Sequence, residues 1–319
     1  MLFAHERWFD PSNAGPDWDF VTETVTLWLL GGAVAITLLV RLIARAWPGA
    51  DIPFLERLVP FMPFAVRVHL AVSMIGLLSL GYFLSPAMDL EVNAWGFVLG
   101  AVMMIVAFAM ATGWYAREAA GLLIIAGPVA IIPFDLVAVL SRADVLGLAL
   151  YILIAGPGRW SADVETARRA PSSPSEHSRA IWCLKVAAGL ALIVVAFDEK
   201  LAVPQLAVDF LRAHPDFNIA RSILGIDMSD LEFARLAGAI EVMFGLLLIS
   251  GALPQLVVLA AGIPFNATLW FFGNHELMGH LPIYVTMLVV LVYGSSPQLR
   301  PAVSALRPGY WPTRAPARP

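Results

Sequence analysis

Long apolar runs alternate along the chain with short polar or proline-bearing segments. Runs of about 17 to 25 apolar residues suit a bilayer core. Nine runs are predicted as helices, at Thr22–Ala46, Phe64–Leu84, Val92–Thr112, Ala116–Phe134, Val145–Ala155, Ala180–Phe197, Phe233–Ser250, Pro254–Phe272 and Leu281–Gly294. The pattern predicts an all-α membrane protein with about nine transmembrane helices. Between the runs lie a polar arm before residue 21, a proline-punctuated connection over 48–63, and a Ser- and Pro-rich linker with His177 exposed. An insertion over 201–232 has apolar residues at helical spacing in PQLAVDFLRA and a Ser or Asp cap in SDLEFAR, which predicts outer helical turns over the following helix. From Ser295 onward, repeated Pro and Arg predict an irregular tail.

An internal repeat divides the chain. RVHLAVSMIGLLSLGYFLSP starts at Arg67 and KVAAGLALIVVAFDEKLAVP at Lys185, each 19 positions before a proline, Pro86 or Pro204. MMIVAFAMATG, ending at Gly113, aligns with EVMFGLLLISG, ending at Gly251. The expected organisation is an arm, first helix and inner connector over 1–63, a four-helix unit over 64–163, a linker over 164–179, a second four-helix unit over 180–295, and a tail over 296–319. The two units are expected to be parallel repeats.

Composition agrees with the pattern. Of 319 residues, 59% are hydrophobic and 14% charged, and the mean hydropathy is +0.77; a soluble domain has about 25% charged residues. The single cysteine, Cys183, excludes a disulfide framework or a thiolate cluster within one chain. No phosphate loop, nucleophile triad or nucleic-acid surface is visible. With the N-terminus outside, 14 of the 20 basic residues fall on the cytoplasmic side, which predicts a multi-pass cell-membrane protein with a cytoplasmic C-terminus. Arg67, His69 and Lys185 are expected to act as snorkelling anchors at helix ends.

Candidate chemistry gathers near the outer face of the second unit. Glu241 lies within a membrane run, where a carboxylate costs about 2.5 to 3.5 kcal/mol on insertion scales and usually faces a partner or a wet cavity. Asn266 on the returning helix is expected to meet it. Glu199, Lys200, Trp270, Asn274, His275, Glu276 and His280 stand at the same helix ends, and a nearby Lys200 or Arg235 is expected to act on Glu241. In the repeat alignment the first unit has Met103 opposite Glu241, Tyr82 opposite Lys200 and Pro128 opposite Asn266. The polar set thus belongs to one unit alone, which favours an asymmetric site. The HELMGH turn offers His275, Glu276 and His280 as a copper or zinc set, but it lacks the spacing of a zinc-protease HExxH helix. Haem ligation stays open, and a hydrogen-bonded His280 beside Glu241 or Lys200 is the alternative.

KVAAGLALIVVAFDEKLAVP, the helix EVMFGLLLISG, the closing GHLPIY and the segment GPGRWSAD resemble the DoxX/DoxD-like membrane proteins, once per half over about residues 65 to 295. That family is similar to the membrane subunit of a thiosulfate:quinone oxidoreductase. The resemblance implies quinone contact or a partner subunit, with Glu199, Lys200, Glu241, Gly279, His280 and Pro282 at the matching positions. The leading expectation is a redox component that binds a quinone-type small ligand, with Glu241, His280 and Lys200 handling protons and orienting it, and Asn266, Trp270, Glu199 and Asn274 lining the site. The rival expectations are a small-solute or metal-ion transporter and a non-catalytic assembly subunit.

Overall fold

The structure is a computed structural model that describes residues 15–166, 173–272 and 274–309. Ten principal helices follow one another: α1 Thr24–Ala46, α2 Met62–Ser79, α3 Ala94–Thr112, α4 Ala116–Val129, α5 Ala143–Ala155, α6 Pro174–Ala196, α7 Pro204–Ala213, α8 Asp230–Ser250, α9 Pro254–Phe272 and α10 Asn274–Gly294. Each of the nine expected apolar runs falls on one of them. Among the described residues, six helical stretches are long and apolar enough to cross a membrane: Thr24–Ala46, Pro53–Ser79, Ala94–Thr112, Ser175–Leu201, Asp230–Ser250 and Leu277–Gly294. The chain is therefore a multi-pass helical membrane protein by length and composition. Helices α4 and α5, of 14 and 13 residues, are too short by themselves for a core about 30 Å thick at 1.5 Å per residue.

The packing is circular. Helix α2 packs on α3, α3 on α4, α4 on α5, and α5 returns to α2; α6 packs on α8, α8 on α9, α9 on α10, and α10 returns to α6. The two groups meet where α5 packs on α6 and α10 on α2. Helix α5 is short but central, with Leu148, Ala149 and Ile152 in the apolar core. At this junction the hydroxyls of Tyr151 and Tyr293 lie 2.5 Å apart, both buried. Helix α1 lies outside, against α8. Its Trp28, Leu38 and Leu39 are exposed, a surface that hydrocarbon would cover.

Two sequence expectations change here. Arg67 and Lys185 are not snorkelling anchors, because both are fully buried. Arg67 donates to the carbonyls of Met110, Ala111, Pro157, Arg159 and Trp160. Lys185 donates to those of Ile249 and Ala305 at 2.8 and 2.9 Å. Each cation thus meets carbonyls at a neighbouring helix end, Met110 and Ala111 for Arg67 and Ile249 for Lys185, together with loop carbonyls. The segment after Ser295 is not an irregular tail up to residue 309. It carries a helical turn, Arg300–Val303, and its backbone accepts from Arg41, Lys185 and Trp182. His177 is half-buried, with its ring near Tyr293.

Candidate functional site

The site is built at the end of α6. There the helix widens into a π turn, Phe197–Leu201, closed by a hydrogen bond from the Ala202 amide to the Phe197 carbonyl at 2.7 Å. In an α-helix consecutive side chains diverge by about 100°. The wider turn lets the neighbours Glu199 and Lys200 both face the interior, and both are buried. Such single π turns are frequently found at functional sites. Gly238 on α8 permits the approach, since a Cβ there would lie 2.8 Å from Leu201 Cγ and 3.1 Å from Lys200 Cβ.

Lys200 Nζ stands 3.2 Å from a carboxylate oxygen of Glu241 on α8, with both side chains almost fully buried. The expected partnership of Glu241 with a cation is therefore met by Lys200. Arg235, the other expected partner, instead pairs with Glu23 at the start of α1 and lies over the Phe20 ring. Asn266 does not join the pair. It is exposed and donates to the Gly262 carbonyl of its own helix at 2.7 Å. An amide inside an apolar helix that turns away from the core satisfies itself on the carbonyl one turn back.

His280 is buried on α10, edge-on to Phe265 of α9 at 4.8 Å and to Tyr284 at 6.0 Å. Pro282 removes the N–H that would bond the Met278 carbonyl, and the adjacent Gly279 carbonyl accepts from Arg142 Nη1 at 3.2 Å. Arg142, at the start of α5, also faces Asp144 at 3.6 Å. Nothing in the sequence reading singled out these two residues. Two charged positions before a run too short to span were the available signal. Trp270, Asn274, His275 and Glu276 have side chains outside the described residues, as do His5 and Glu6.

Between α9 and α10 an open groove of about 510 Å³ is lined by Val258, Leu259, Ile263, Met287 and Leu288, with Asn266 and Tyr284 as its polar members. It carries an apolar wall with few hydrogen-bonding groups, the usual composition of a small-molecule site. The positions aligned with the pair are apolar or structural: Met103 is buried in the core, and Tyr82 pairs its backbone with Asp89. At these aligned positions, among the described residues, the first half of the chain has no counterpart of the Lys200–Glu241 pair.

The chain matches no protein-family model, no curated protein and no solved structure.

The insertion over 201–232 forms a packed cap. Phe210 and Leu211 of α7 and Phe217 cluster with Phe233 and Ala237 of α8, and the Asn218 amide donates to the Met228 carbonyl and the Asp230 carboxylate. Ser229 begins α8 with a reciprocal cap to Glu232. These turns lie against α8 and the π turn.

Proposed function

We propose that this chain is a DoxX-like integral membrane component of a quinone-linked redox system, in the cell membrane with its N-terminus outside and its C-terminus in the cytoplasm. Its architecture in this reading is an N-terminal helix and two parallel four-helix units, nine spans in all. The equivalent roles of Arg67 and Lys185 support the repeat, as does the end of α3 and α8 on left-handed glycines, Gly113 and Gly251. The Tyr151–Tyr293 contact between the last helices of the two groups supports it further.

The observation that carries the functional reading is the buried Lys200–Glu241 pair on a π turn, at positions where the other unit has Tyr82 and Met103. Breaking such a pair leaves an uncompensated charge, so a proton gained or lost at Glu241 changes the balance of the whole turn. The groove between α9 and α10 fits a lipophilic ligand with a small polar head: its aliphatic wall takes a tail, and Asn266 and Tyr284 offer the hydrogen bonds. A quinone in such a groove supplies two-electron, two-proton chemistry. In this reading Asn266 and Tyr284 orient the head group, His280 with Phe265 backs the groove, and Glu241 takes or gives the proton while Lys200 holds the carboxylate in place. The metal reading rests on His275, Glu276 and His280, and the side chains of the first two lie outside the described residues. An assembly role is favoured by one observation, the near-complete sealing of the pair from solvent.

The electrons must come from outside this chain, so the test is proton uptake when quinone bound to the protein in lipid nanodiscs is reduced from an electrode through a one-electron mediator, followed with a pH indicator. The unaltered protein is expected to take up protons, and Glu241→Gln to lose that uptake while still folding. Unchanged uptake in Glu241→Gln refutes the role of Glu241, and a stable partner subunit in place of any quinone response supports assembly.

A further inference from the structure

A second cavity, of about 90 Å³, lies where the two groups of helices meet and is separate from the lipid-facing groove. Its polar walls are Ser85, Asp135, Ser141, Arg142, Asp198 and Glu199. Three of these are buried far from bulk water, Arg142 at 2%, Ser85 at 3% and Glu199 at 4% exposure. Asp135, Ala87 and Val137, which also line it, are exposed and form its mouth. The cavity therefore runs from the surface to the buried turn that carries the Lys200–Glu241 pair.

Its inner wall holds polar atoms that the protein leaves unsatisfied. Arg142 Nε and Nη2 and Ser85 Oγ make no hydrogen bond to protein, and an unmet buried donor is costly, more so on a charged group. The wall as a whole offers both donors and acceptors to an occupant. An anion is opposed, because Arg142 already faces Asp144 and Asp135, Asp198 and Glu199 add three carboxylates. A metal ion is opposed as well, since among the described residues no three His, Cys, Asp or Glu side chains gather as a metal site. Water meets both the donors and the acceptors, and the cavity is roomy enough to hold it.

We propose that this cavity is a water-filled access path from the protein surface to Glu199, through which protons reach the Lys200–Glu241 pair. The delivery of protons rests on the redox reading above; the water path does not. A proton passes from bulk water along the chain of waters to the Glu199 carboxylate and onward to Glu241, with only O–H bonds formed and broken.

The path is tested with silver ion, a thiol-specific probe small enough to follow water. Full-length Ser85→Cys in a Cys183→Ser background is reconstituted in vesicles and exposed to silver. Unblocked thiol is then counted by mass after denaturation and alkylation. Ala120→Cys, in the dry core of the first group, is the reference. Ser85→Cys is expected to be blocked on the order of tenfold faster or more, and Ala87→Trp, which plugs the mouth, to remove most of that difference. Ser141→Cys gives the same reading from the opposite wall if Ser85→Cys does not fold. Blocking no faster than at position 120, or unaffected by Ala87→Trp, overturns the path. For the proton role, Ala87→Trp is expected to slow quinone-linked uptake without changing its extent, whereas Glu241→Gln removes the extent. Unslowed uptake overturns delivery alone. An absence of uptake in the unaltered protein overturns delivery together with the redox reading and leaves the silver result to decide the path.

Discussion

Replacing Lys200 by Met keeps the length and apolar stem of the side chain but removes the charge 3.2 Å from Glu241. At that separation the attraction is about 5 kcal/mol for an effective dielectric of about 20. The carboxylate that remains is almost fully buried, and removal of one partner from a buried pair costs about 3 to 5 kcal/mol. Glu241→Gln leaves the reverse problem, an ammonium without its counter-ion. The double variant removes both charges, so its loss of stability is expected to fall well below the sum of the two single losses, with a coupling of about 3 kcal/mol or more. Equilibrium unfolding in mixed micelles measures all four corners of the cycle. A coupling below about 1 kcal/mol, the level of exposed ion pairs, refutes the claim that the two side chains form one buried unit. The double variant also separates structure from chemistry, because it is expected to regain stability and still lack quinone-linked proton uptake.

Arg67→Leu deprives five carbonyls of their donor and is expected to destabilise by about 3 kcal/mol or more in the same assay; Arg67→Lys is expected to recover only part, since an ammonium lacks the guanidinium fork. Gly251→Ala forces a left-handed φ of +62° on alanine and sets its Cβ 2.0 Å from the Val303 carbonyl oxygen, so a loss above about 1 kcal/mol is expected. Gly32→Ala, with open space around it on a helix, is expected to be neutral or stabilising by up to about 1 kcal/mol. Ser229→Ala removes the reciprocal cap of α8 and is expected to lower stability by about 1 kcal/mol.

Much of the fold was legible along the chain because burial in lipid imposes a one-dimensional rule: a crossing segment must be apolar over its length and satisfy its backbone within itself. That rule located a helix at every expected run. The capping signal of SDLEFAR likewise located Ser229 at the start of α8, since a cap is a local hydrogen bond. Glu241 and Lys200 were legible as charges out of place in apolar surroundings. Their direct pairing was not, because it depends on the π turn, and the one extra residue in that turn leaves no mark in the periodicity.

Other features belonged to tertiary structure alone. Asn266 and Glu241 stand on successive helices, yet helix rotation decides which face meets which, and packing turned Asn266 outward. Arg67 and Lys185 read as surface anchors because charge at a helix end usually snorkels. They are buried because the carbonyl ends of neighbouring helices and the segment after Ser295 close around them, a contact between residues up to 120 positions apart. Arg142 and its cavity are the extreme case. The sequence determined that a charge stood near the end of a short helix, and only the meeting of the two helical groups made it a buried donor lining a passage to Glu199.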